Sequence, residues 1–135
     1  MITAVCLNPC IDKTVVIPKL TVGGMNRIQS SRLDYVGKGV NVALNMRALG
    51  HNSACIGCIG DDAGGDETIR RLREAGVEGE FIRVQGPVRV NMKVLDASAG
   101  QITEINEPGP PVGNEYFIRS ELAAVKMLGD SFPER

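Results

Sequence analysis

A chain of 135 residues, 43% of them apolar, with a mean hydropathy of −0.02 and a net charge of −1, holds enough apolar material for one core of ordinary size. Its Lys and Arg are scattered, which argues against nucleic acid and against an anionic membrane surface as partners, and no apolar run approaches the length of a membrane span. The opening MITAVCLNPCIDK lacks the basic start of a secretory signal, so the sequence reads as one cytoplasmic domain.

Residues 2 to 7, ITAVCL, form a nearly continuous apolar run, as a parallel strand covered on both faces requires, and a central strand is predicted there. After Asn8 and Pro9 the pattern becomes β-rich but more polar, and DKTVVIP and MNRIQSSRLDYV predict a half-exposed hairpin around Gly23 and Gly24. GKGVN follows. Gly37 and Gly39 let the backbone approach a ligand closely, Lys38 adds a cation, and the helix that begins there points unpaired N–H groups at the same spot. An anionic or polyhydroxylated small molecule fits that description; an ordinary glycine turn capping a helix fits the pentapeptide equally well.

A helix is predicted over residues 41 to 49, with Val40, Ala43, Leu44 and Ala48 on one stripe and Gly50 just past its end. A strand over 53 to 59 comes next. A second helix spans about 65 to 75, with Ile69 and Leu72 inward and Gly76 closing it, and EFIRV at 80 to 84 is a further core strand. Strands and helices therefore alternate as a parallel α/β sheet needs, with one hairpin inserted after the first strand. Cys6, Cys10, Cys55 and Cys58 read as small buried thiols: residues three apart on a strand, such as Cys55 and Cys58, point to opposite faces and chelate one metal poorly.

VRVNMKVL at 88 to 95 alternates strictly. Val88, Val90, Met92 and Val94 lie on one face and Arg89, Asn91 and Lys93 on the other, and QITEIN at 101 to 106 pairs with this strand across a turn. A solvated strand face accounts for that alternation as well as a binding face does. One more helix is predicted at roughly 116 to 128.

These pieces in this order resemble the N-terminal half of a PfkB (ribokinase-like) carbohydrate kinase of the 1-phosphofructokinase and tagatose-6-phosphate kinase branch. The resemblance spans residues 1 to 113: LNPCID after the first strand, GKGVN running through VALNMRALG to Gly50 and Gly60, IGDDAGG, VRVNMKV and TEINEPGP. It implies an α/β fold, a ribokinase-like parallel sheet flanked by helices with an inserted β-hairpin lid. The lid segments would be about 11–35 and 87–107, the core segments 1–8, 38–85 and 112–128, and the C-terminal half of the fold would be missing. It also implies sugar contacts from Asp12, Asn41 and the backbone at Gly37 and Gly39. Arg27, Lys38, Arg89 and Lys93 would be the cations facing the phosphate already on the substrate, with Asn91 beside them and Glu104 a further candidate.

The implied activity is ATP-dependent phosphorylation of a ketohexose phosphate, fructose 1-phosphate to fructose 1,6-bisphosphate. ATP and Mg2+ would be bound elsewhere, and the family's GAGD-type motif with its catalytic base would stand in the half not present here, so no catalytic residue is assigned in this chain. The DAGGD run at residues 62 to 66 echoes that motif superficially but belongs to the first-half pattern. A homodimer through the lid is expected, because the faces carrying Val88, Val90, Met92 and Val94 cannot be hidden on both sides of a single sheet. Two departures stand out: Val36 where the family usually has glycine, and Gly64 where an aromatic is common. The alternatives are a truncated, non-catalytic sugar-phosphate-binding remnant and a Rossmann-type domain. The latter is disfavoured because GKGVN does not directly follow the first strand and lacks G-x-G-x-x-G spacing.

Overall fold

The computed structural model describes residues 1 to 116 and residue 119; the helix predicted at 116 to 128 otherwise lies outside the described residues. In chain order come β1 (Ile2–Cys6), β2 (Cys10–Ile17), β3 (Ser30–Val36), α1 (Lys38–Ala48), β4 (Ser53–Gly60), α2 (Ala63–Glu74), β5 (Glu78–Val84), β6 (Arg89–Asp96) and β7 (Gln101–Asn106). Both helices begin earlier than the apolar stripes suggest, because their caps lie outside those stripes. Gly37 caps α1 without a side chain, whereas the Asp62 carboxylate accepts the Gly65 N–H at 3.0 Å and so starts α2.

Two sheets form. In the first, β1, β4 and β5 run parallel in the order β1-β4-β5, and all eight residues of β4 are buried. Ala4 and Cys6 of β1, Val40 and Ala43 of α1, Cys55 of β4 and Leu72 of α2 share one apolar cluster, so both helices cover the same face. The expectation of a central β1 is corrected. Among the described residues β1 is an edge, and Val5, on the face away from Ala4 and Cys6, is 56% exposed. An apolar run reports that both faces of a strand suit burial; it does not report how many neighbours the strand has.

The second sheet has the order β3-β2-β6-β7. Each outer pair is an antiparallel hairpin, and the two hairpins join through parallel pairing of β2 with β6. The seam between the sheets is apolar. Ile11 of β2, Val88 and Ile59 of β4 pack together, flanked by Tyr35, Ile69 and Phe81, while the Arg71 guanidinium of α2 lies 4.5 Å from the Tyr35 ring centroid. Gly64 belongs to this seam, for a Cβ there would stand 2.8 Å from Ile11 Cδ1, so the isoleucine fills space that an aromatic at that position would claim.

The valine face predicted to need a partner is largely satisfied within the chain. Val88 is 3% and Val94 9% exposed, the latter packed with Val15 and Ile17 beneath Leu20 and Met92. Leu20 is in place because the segment after β2 folds back, its N–H donating to Asp96 Oδ2 at 2.9 Å. The large apolar side chains that this sheet and its β2–β3 segment leave exposed are others: Val22, Met25 and Ile28 between β2 and β3, and Leu33, Ile102 and Ile105 on the outer strands.

Candidate sugar-phosphate site

Gly37 and Gly39 bring the start of α1 against β1. A Cβ on Gly39 would run into the Val5 carbonyl oxygen and Cys6, and one on Gly37 would stand 2.8 Å from Cys6 Sγ. The glycines thus meet a packing demand, and the same contact sets the first turn of α1 beside the end of β1. There a cavity of about 280 Å³ is lined by Val5, Cys6, Leu7, Asn8, Lys38, Gly39 and Arg89. Unpaired N–H groups of a helix start and two basic side chains make this place electropositive.

Strand register builds the adjoining wall. Cys10 stands opposite Arg89, Asp12 opposite Asn91 and Thr14 opposite Lys93, so alternation puts all six on one face of the second sheet. Lys93 Nζ donates to Asp12 Oδ2 at 2.7 Å, Asn91 Nδ2 donates to Asp12 Oδ1 at 3.2 Å, and the Cys10 thiol approaches Oδ1 at 3.6 Å. Burial works to raise the Asp12 pKa, but the hydrogen bonds from Lys93 and Asn91 and the lysine's charge outweigh it and hold the carboxyl below its ordinary value. Lys93 is raised in turn by its bond to Asp12 and by that carboxylate's charge. The Cys10 thiol is raised first by burial and then by the Asp12 charge.

Two polar atoms on this face are buried without a partner, Arg89 Nε and Asn91 Oδ1. Such atoms are costly when unsatisfied and common where a ligand completes the bonding. A fixed carboxylate accepts hydroxyl protons, and an uncompensated guanidinium binds an anion, so the arrangement suits a molecule carrying both hydroxyls and a phosphate.

The structure gathers some predicted residues and leaves others apart. Asp12, Arg89, Asn91 and Lys93 share one face, with Glu104 of β7 directly opposite Lys93, while Lys38, Gly39 and Arg89 line the cavity. Gly37 lies just outside the lining. Asn41 is exposed on α1 with no side-chain hydrogen bond, and Arg27 is exposed in the segment between β2 and β3, away from the cavity lining. Asn8 was missed. It lines the cavity and donates from Nδ2 to the Pro108 carbonyl at 3.4 Å, and a Cβ on Gly109 would stand 2.9 Å from Asn8 Oδ1. The signal was available: an asparagine held extended by the following proline, directly after the first strand. Among the described residues no group of three His, Cys, Asp or Glu side chains converges as a metal site would, and no helix is long and apolar enough to cross a membrane. All four cysteines are buried, and burial together with the neighbouring Cys6 pushes Cys55 up to about 12.

Comparison with known proteins bears on the family and the fold. The chain is 37% identical over 128 residues to a 1-phosphofructokinase of Xanthomonas campestris pv. campestris, covering 93% of this chain and 40% of that protein. It is 37% identical over 118 residues to the 1-phosphofructokinase of Bacillus subtilis, covering 87% of this chain and 37% of that one. Among solved structures, a Staphylococcus aureus protein described as a phosphofructokinase superposes with a TM-score of 0.79 at 32% identity, over 89% of this chain and 38% of that one. Escherichia coli phosphofructokinase-2, solved with fructose-6-phosphate, superposes with a TM-score of 0.82 at 22% identity, over 93% of this chain and 41% of that one, which bears on the fold alone. The chain thus spans about 40% of the length of the curated relatives it matches, over their N-terminal portion. With the pfkB family carbohydrate kinase pattern matching residues 6–130, the chain belongs to that family.

Proposed function

We propose that the chain is the sugar-phosphate-binding part of an ATP-dependent kinase that converts fructose 1-phosphate to fructose 1,6-bisphosphate. The observation that carries this reading is the shared face on which Asp12 is fixed by Lys93 and Asn91 while Arg89 Nε remains buried and unpartnered beside the cavity at the start of α1. Asp12 accepts hydrogen bonds from sugar hydroxyls, the backbone at Gly39 approaches the ring, and Arg89 and Lys38 receive the phosphate. ATP with Mg2+ supplies the transferred group when bound. The reading gives this chain binding and orientation and assigns the base and nucleotide contacts to residues outside it. A cytoplasmic setting suits its buried thiols.

Two measurements on the 135-residue chain test the division of labour. Calorimetric titration is expected to show fructose 1-phosphate binding, and ATP with Mg2+ is expected to give no fructose 1,6-bisphosphate above background. Absence of fructose 1-phosphate binding would overturn the site, and turnover that survives repurification would overturn the separation of binding from catalysis.

We further infer a homodimer through the second sheet. Its outer strands expose Leu33 and Ile105, which register places on the same face, and the segment between β2 and β3 exposes Val22 at 92% and Met25 at 81%. Light scattering at micromolar concentration should report a dimer, and Met25→Glu with Ile105→Glu should shift it to monomer. A dimer unaffected by both changes would place the interface elsewhere.

A further inference from the structure

The cations around the site are not equivalent. Lys93 Nζ lies 2.7 Å from Asp12 Oδ2, and Glu104 stands opposite the lysine on β7, so its charge is paired with Asp12 and further offset by the Glu104 carboxylate. Arg89 has a buried Nε with no partner and lines the cavity, and Lys38 lines the same cavity and forms no ion pair among the described residues. An anion entering the site meets Arg89 and Lys38 uncompensated, whereas Lys93, although it keeps two further N–H donors, has its charge already offset by Asp12.

The carboxylate is held on both sides. Lys93 takes one lone pair of Oδ2, while Asn91 and the Cys10 thiol approach Oδ1, so Oδ2 keeps a free acceptor direction for a hydroxyl. The remaining charged group facing Asp12 is Asp34 across β3, itself paired with Arg32 at 2.8 Å. Without Lys93, Asp12 would keep Asn91 and Cys10 as neutral donors, lose its fixed orientation at Oδ2, and face the partial burial and the nearby Asp34 charge unopposed.

We propose that Lys93 is a positioning residue that holds the Asp12 carboxylate in place as a hydroxyl acceptor, and that the phosphate of the sugar is received by Arg89 and Lys38 and not by Lys93. This rests on the sugar-phosphate reading above. It departs from the grouping of Lys93 with the phosphate-facing cations that the family resemblance implies.

Three probes separate the roles: fructose, fructose 1-phosphate and inorganic phosphate, each titrated by NMR into the chain and into Lys93→Met and Arg89→Ala. Lys93→Met is expected to weaken fructose and fructose 1-phosphate by the same factor, about tenfold or more, and to leave inorganic phosphate within about twofold. Arg89→Ala is expected to weaken fructose 1-phosphate and inorganic phosphate and to spare fructose. The pH dependence adds a readout that a merely structural lysine would not move. Fructose binding by Lys93→Met should fall away at a higher pH than in the unsubstituted chain, because the uncompensated carboxyl protonates more readily.

Loss of inorganic phosphate binding in Lys93→Met comparable to that in Arg89→Ala would overturn the proposal while leaving the sugar-phosphate reading intact. Failure of the unsubstituted chain to bind any probe would overturn both. Should Lys93→Met not fold, Lys93→Arg keeps the charge and decides the matter. Equal, small losses for both sugars with phosphate unchanged support positioning, and a loss confined to inorganic phosphate and fructose 1-phosphate refutes it.

Discussion

Arg89 and Asp12 lie on the same sheet face, yet they enter the unliganded chain on different terms. Asp12 is oriented by bonds to its neighbours, whereas Arg89 keeps a buried Nε unsatisfied. Replacing Arg89 by Ala should therefore cost the fold little. It should remove roughly 1.5–3 kcal/mol of charge-assisted bonding to a phosphosugar, a ten- to hundredfold rise in the dissociation constant for fructose 1-phosphate. A melting temperature that drops as far as the affinity would make Arg89 structural instead. Gly39 behaves oppositely. A methyl group there meets the Val5 carbonyl and Cys6, so Gly39→Ala should destabilise the chain by about 1–3 kcal/mol, readable as a lower denaturant midpoint with an unchanged slope. The sequence showed that Arg89, Asn91 and Lys93 share a face, because alternation is local. It could not show that Lys93 closes on Asp12, a contact spanning 81 residues that depends on which strands pair.

Helix α2 illustrates how local chemistry fixes an element. Asp62 caps it, Gly76 at φ 74 follows its end, and Glu67 accepts from both Arg70 and Arg71 at 2.7 Å. Hydrogen bonds from Arg70 and then Arg71 lower the Glu67 pKa to about 2 from 4.5. A carboxyl depressed in the folded state stabilises above its unfolded value, and that contribution is lost as pH falls toward the folded one. Between about pH 4.5 and 2 the chain should therefore lose some stability through this group. Glu67→Gln should make the acid limb of a melting-temperature profile shallower in that window; an unchanged limb would show that solvent screens the cluster completely. Both helices were legible from their glycine ends and apolar stripes, and both hairpins from turn residues between alternating runs. The parallel pairing of β2 with β6 was not, since nothing in either hairpin names a distant strand as its neighbour.

At the scale of the molecule, the first sheet ends differently on its two sides. β5 carries Glu78, Glu80 and Arg83, charges of the kind that discourage further pairing, while β1 is ITAVC with none. With Val5 56% exposed, β1 is an open and apolar edge among the described residues, and this explains why the sequence suggested a strand with neighbours on both sides. The isolated chain should self-associate in part through this edge. Ile2→Lys, on the same strand at 38% exposure and outside the cavity lining, should reduce concentration-dependent aggregation without lowering the binding of fructose 1-phosphate. Aggregation that continues unchanged would point to the exposed side chains of the second sheet.

The parallel join between β2 and β6 also has a kinetic meaning. Each hairpin can close on its own within a short stretch of chain, but their union must wait until residues about 80 apart have been brought together, a loop closure that is slow to achieve. Asp12 meets Asn91 and Lys93 only at that step. The binding face is thus assembled late, after α1, β4, α2 and β5 have supplied the intervening scaffold. A ligand of this face should slow unfolding far more than it hastens refolding.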